Sequence, residues 1–279
     1  MEAKKGRREM KKFELTTKFI TNVAGKKLFR IKALVEFGNV KAGELGGYVE
    51  KEGNISQDGN AWVAGNACVD GNATVDGNAT VSGNAWVTGN TTVSGNAWVT
   101  GNTTVSGNAT VSGNAWVHGN AWVTDNTEVS GNATVSGNAT VSGNATVSGN
   151  AKVHGNAWVT DNTEVSGNAT VTDNTEVSGN ATVSGNATVS GNATVSGNAE
   201  VSGNTDYALA QGFGTEFRCT TFYRGKNKKI MVNCGCFHGD LEEFRKQVKE
   251  TRSGKIAKEY LMIADLMEYH FASEDSDDE

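Results

Sequence analysis

Valine stands at position 63 and at every sixth position to Val201 without a miss, through 24 hexads. Asparagine keeps the same period from Asn60 to Asn204. The residue before each asparagine is Gly, except at Asp125, Asp161 and Asp173. Two before each valine is Ala or, at Thr91, Thr103, Thr127, Thr163 and Thr175, Thr. A conventional globule does not hold one period for so long; a stack of identical units does. In an extended segment the small residue and the valine share a face, because side chains alternate. Those two point inward and the variable residue between them points out. Gly-Asn then makes the corner, since these residues best tolerate positive φ. A strand of four and a corner of two, repeated, is a β-solenoid.

The pattern resembles the hexapeptide repeat of left-handed β-helix proteins, with an aliphatic residue every six and a small residue two before it. The resemblance implies a mainly β fold, a single-stranded left-handed parallel β-helix. Three hexads, about 18 residues, make each triangular coil. Its 24 hexads then make eight coils, a rod of roughly 38 Å at ~4.8 Å per strand. Valine stacks on valine, alanine on alanine, and the asparagine amides bond up and down the corners. A flat solenoid of about twelve residues per coil is the rival. Residues 114–130 recur at 150–166 with one change, Trp116 to Lys152. That offset suits both architectures.

On three faces, Trp62, Trp98 and Trp116 share one and Trp86, Trp122 and Trp158 the next. Large outward aromatics mark a contact surface, for self-association, a protein or a glycan. Two histidines, His118 and His154, follow valines inside the duplicated segment. In the hexapeptide class many members are acyltransferases, with a histidine base beside a loop and the donor held between subunits of a trimer. Here no loop interrupts the hexads, and a base needs a positioned partner and a dry site. The reading therefore favours a non-enzymatic protein without a cofactor; an acyltransferase-like enzyme stays open. Ice binding through outward threonines, and duplex mimicry by an acidic rod, are further alternatives. The rod carries ten acidic residues and one basic, Lys152, a sparse charge beside that of DNA. Glu128 and Glu164 read as solvated surface.

The ends depart from the period. Residues 1–12 read as a flexible basic arm (Lys4, Lys5, Arg7, Arg8, Lys11, Lys12) and 273–279, SEDSDDE, as an acidic tail. Nucleic acid could be met only through that arm. Residues 13–58 read as an N-terminal cap and first irregular coil, with strands around a turn at 23–26. The run FRIKALVEFGNVKAGELGGYVE, followed by Asn54-Ile55-Ser56-Gln57, resembles the lead-in of hexapeptide-repeat proteins of phages and prophages. Its physical job is to cover the first coil of the repeat region, 59–206.

Residues 207–272 read as a small ββαα module. A hairpin joins 217–224 to 229–237, an Asp240/Glu243 capping box opens one helix, and a second begins near Lys255. The run VNCGCFHGDLEEF also resembles a tail of phage proteins without a settled activity. Cys219, Cys234, Cys236 and His238 are candidate zinc ligands or ordinary packing residues. Residue counting sets Cys219 opposite Cys234. No apolar run approaches membrane-spanning length, and no hydrophobic segment backs the N-terminal basic residues. Four cysteines without an export signal suggest a reducing compartment. The expectation is a phage-type scaffold or binding protein in the bacterial host cytoplasm or on a virion. Its partner is a protein or itself, as a homotrimer, and no membrane is involved.

Overall fold

The computed structural model describes residues 11–272. Each hexad forms one two-residue strand, from β4 (Trp62–Val63) to β27 (Glu200–Val201). The strands pair in parallel with the residue 18 positions on, as in Val63↔Val81 and Val81↔Val99. They make three sheets, one per face of the coil. This spacing decides for three hexads per coil over the twelve-residue alternative. Every repeat valine has 0% exposure, and the small residues two before it have at most 1%. Burying a valine is worth roughly 1.5–3 kcal/mol, so the repeat supplies its own core.

The corners close as the sequence requires. Gly131 has φ +67°, and a Cβ there would lie 2.9 Å from both N and O of Gly149 one turn on. Asp125, Asp161 and Asp173 take φ 62° instead. Each turns its carboxylate to the next turn's N–H, on Gly143, Gly179 and Gly191 at 3.1, 2.9 and 3.0 Å. The asparagines form three unbroken ladders, each Nδ2 donating to the Oδ1 one turn on. Asn114, Asn132 and Asn150 illustrate one, with bonds of 3.0 and 2.9 Å.

Each turn bonds to the next along the same parallel ladder. Trp62 N–H donates to Ala79 O at 3.0 Å and Ala64 N–H to Val81 O at 2.8 Å. The outer edges of the first and last turns are therefore left with main-chain groups that no neighbouring turn satisfies, and buried orphans are costly. At the first turn, each face receives a donor. Lys12 Nζ reaches Ala61 O at 3.0 Å, Tyr48 N–H reaches Ala67 O at 2.9 Å, and Asn54 Nδ2 reaches Ala73 O at 2.8 Å. At the last turn Asn233 Nδ2 donates to Thr194 O at 2.9 Å, and N–H groups find acceptors. Asn204 Oδ1 accepts from Thr188 N–H at 2.7 Å, and Thr221 Oγ1 from Thr194 N–H at 2.9 Å.

The N-terminal cap is an antiparallel pair, β1 (Phe13–Thr21) and β2 (Lys27–Ala33), joined to β3 (Leu45–Val49). Strand β3 lies parallel on β5 (Cys68–Val69), and Ile55 bridges Val75, which adds an irregular ninth turn. Gly46 and Gly47 permit this contact: a Cβ at either would stand 2.5 Å from the carbonyl oxygen of Val63 or Ala67. Lys12, expected in a solvated arm, is buried at 4% exposure. The rest of the basic run to residue 10, and the acidic tail, lie outside the described residues.

The C-terminal segment corrects the ββαα expectation. Four antiparallel strands precede the helices: β28 (Tyr207–Phe213), β29 (Arg218–Arg224), β30 (Ile230–Cys234) and β31 (Phe237–Asp240). Helices α1 (Leu241–Thr251) and α2 (Gly254–His270) follow. The Asp240/Glu243 capping box is formed, with both bonds at 2.9 Å. One sheet face belongs to the rod: Tyr223, with 0% exposure, joins the valine core with Tyr207 and Met231 against it. The other face carries Phe222 and Val232 against Phe244, Tyr260 and Ile263 of the helices. The sheet is thus the rod's lid as well as the helices' floor.

Candidate binding surfaces

The outward position of each strand holds the side chains free to meet a partner. Trp98, Trp116, Trp122 and Trp158 are 53, 45, 57 and 58% exposed. Trp98 and Trp116 are adjacent rungs and meet edge-to-face, with ring centroids 6.3 Å apart. Trp122 and Trp158 lie on a second face with Thr140 between them, two strands or ~10 Å apart. Half-buried Trp86 continues that column below Thr104. Trp62 does not join a contact surface. It is 3% exposed, packed between Phe13 and Phe37 at 6.4 and 5.4 Å. The cap hairpin covers the rung that counting places outward.

His118 and His154 stand two turns apart on the Trp98 face, on either side of Ser136. His118 packs on the Trp116 ring at 4.5 Å, and burial lowers its pKa from the usual value. His154 Nδ1 lies 2.8 Å from Thr172 Oγ1. The hexads on both sides run on without a loop, so neither ring gains the enclosed pocket a general base needs.

The candidate zinc set is divided by the C-terminal sheet. Thr220, not Cys219, pairs opposite Cys234, and its hydroxyl donates to that sulfur at 3.1 Å. The cause is the turn. Lys228 takes φ 62°, which adds one residue to the loop in the manner of a G1 bulge and shifts the count. Cys234 then packs toward the helices, while Cys219 alternates to the rod side. All four cysteines are free, and no cluster of three or more metal-binding side chains occurs among the described residues.

His238 instead joins the seam between rod and lid. Its Nδ1 lies 2.6 Å from Asn233 Oδ1 and 3.4 Å from the Tyr223 hydroxyl. Asn233 Nδ2 donates in turn to Thr194 O and Ser196 Oγ at 2.9 and 3.0 Å. These groups fasten the lid and leave little chemistry to spare.

One concave site was not visible in the sequence. A cleft of about 610 Å³, counting its open mouth, lies between the 214–218 and 234–237 segments and helix α1. Arg218, Arg252, Gln247 and Thr251 line it over Phe237 and Phe244. The two arginines are 34 positions apart in different elements, so no motif spacing announces them.

No helix among the described residues is long and apolar enough to cross a membrane. No curated protein matches the chain. A solved structure of a candidate acetyltransferase from Bacillus cereus aligns with a TM-score of 0.26 at 10% identity, over 69% of this chain and 90% of that one. Residues 105–119, 129–143, 141–155 and 177–191, all within the rod, match the family described as YdcK beta solenoid repeat.

Proposed function

We propose that the protein is a non-enzymatic scaffold of the phage type, a stiff rod that binds through its sides. The carrying observation is that 24 consecutive hexads hold valine and asparagine fixed while every tryptophan of the repeat enters at the outward rung, with both ends of the stack occupied by caps. On one face that rung is tryptophan at every second turn: Trp86, Trp122 and Trp158. Large aromatics lose little conformational entropy on contact and dominate interface energies. The first partner in this reading is another copy of the chain, three rods side by side. The phage setting and a bacterial cytoplasmic or virion location follow from the resemblance of residues 29–57 to phage lead-in segments.

Sedimentation equilibrium tests this reading. A trimer that dissociates when Trp122 and Trp158 are both changed to Thr is the expected result. A monomer at all concentrations, or a trimer indifferent to the double change, contradicts it. Threonine already fills the same rung at Thr104 and Thr140, so the variant keeps the fold.

A further inference from the structure

The described residues include five arginines, and three have side-chain partners. Arg224 pairs with Asp206 at 3.1 Å. Arg245 meets Glu242, Asp265 and Glu268 at 2.5–2.9 Å. Arg30 donates to the Tyr48 hydroxyl at 3.0 Å. The remaining two, Arg218 and Arg252, form no ion pair among the described residues, and both line the same cleft. Arg252 reaches only the neighbouring Thr251 O, at 3.5 Å. Both act on one neighbour: burial and then the Cys234 thiol raise the Tyr260 hydroxyl, while Arg252 and Arg218 pull it down. Glu216 also lines the mouth and pairs with neither.

Two like charges facing one cleft repel, and an oxyanion between them relieves that repulsion. Guanidinium suits the role, since its planar fork holds phosphate or carboxylate in two parallel bonds. The surroundings supply the rest of a site. Gln247 adds an amide donor on helix α1, and Phe237 and Phe244 give an apolar wall. The local backbone is shaped for it. Phe217, just before Arg218, is held at φ 49°, a conformation that costs a non-glycine residue about 1 kcal/mol or more. Gly235 leaves room for the Arg218 guanidinium, because a Cβ there would stand 2.4 Å from Nη1.

We infer that the Arg218–Arg252 cleft binds a small phosphate monoester. Its phosphoryl group lies between the guanidiniums and its apolar body against Phe237. At neutral pH such an ester carries close to two negative charges, matching the two cations. The site is independent of the tryptophan faces, so it stands or falls apart from the scaffold reading.

Calorimetric titration of the full-length chain with phenyl phosphate, inorganic phosphate and benzoate tests it. Saturable binding of phenyl phosphate, tighter than either of the others and weakened by salt, is expected. The charge-assisted bonds imply a loss of about tenfold in Arg218→Gln and again in Arg252→Gln. Both side chains are exposed, and circular dichroism checks that the variants stay folded. Absence of saturable binding, or affinity unchanged in both variants, overturns the site. Inorganic phosphate or benzoate binding as tightly as phenyl phosphate overturns the ester assignment.

Discussion

Thr221 Oγ1 accepts the main-chain N–H of Thr194 at 2.9 Å. A hydroxyl of the C-terminal sheet thus replaces the carbonyl that a further turn of the rod would have offered. Changing Thr221 to Val keeps the shape and removes the acceptor. A buried donor without a partner costs about 1–3 kcal/mol. Denaturant unfolding of Thr221→Val should show that loss; unchanged stability would mean the last turn needs no such acceptor.

Lys12 performs the reciprocal task at the first turn, and its chemistry makes stability depend on pH. Burial lowers the ammonium from 10.5 to about 8, with Asp58 opposing. Below pH 8 the amine is charged in both folded and unfolded chains, and the burial cost stands in full. Between about 8 and 10.5 the unfolded chain holds more protons, so stability rises with pH. Unfolding midpoints at pH 7.5 and 9.5 should therefore climb in the parent relative to Lys12→Met. Parallel behaviour of the two proteins would contradict the assignment.

Much of this rod can be read from its letters because each hexad assigns one role per position. The valines, alanines and asparagines all stand where a period of six places them. The exceptions arise where a distant segment overrides the local pattern. Trp62 occupies an outward rung but is covered by Phe13 and Phe37, which are aperiodic neighbours. Lys12 sits in a run of basic residues that resembles a tail, yet its partner carbonyl is on Ala61. The hairpin register turned on the left-handed conformation of Lys228, a choice lysine seldom makes. Arg218 and Arg252 converge only once the helices have packed.

Three small-position threonines, Thr103, Thr127 and Thr163, bury hydroxyls that have no hydrogen-bond partner. Thr91 and Thr175 avoid this by donating to the carbonyls of Thr88 and Thr172. In Thr127 the methyl stabilises by roughly 1 kcal/mol, while the unsatisfied hydroxyl costs at least as much. Thr127→Ser keeps the cost and loses the gain, so it should destabilise by about 1 kcal/mol or more. Thr127→Ala should fall within about 1 kcal/mol of the parent. Thermal unfolding in which Ser outranks Ala would show that the hydroxyl is satisfied.

Corner aspartates invert the usual glycine rule. Asp161 holds φ 62° while its carboxylate accepts the Gly179 N–H at 2.9 Å. Asp161→Gly gives up the bond and relieves the backbone, for a net change near zero. Asp161→Ala keeps the strain without the bond and should cost about 1–2 kcal/mol. Chemical denaturation separates the two, and equal effects would remove the carboxylate from the explanation.

The confinement of binding to the rod's sides and to the cleft rests on the C-terminal sheet closing the stack. Tyr223 is its plug, wholly buried in the valine core. Removing residues 207–279 exposes that core together with the unpaired donors of the last turn, including Thr194 N–H. Analytical ultracentrifugation of the shortened chain is the most direct measurement. End-to-end association that grows with concentration, together with a lowered Tm, is the expected result. The parent's oligomeric state and an unchanged Tm would show that the stack needs no lid.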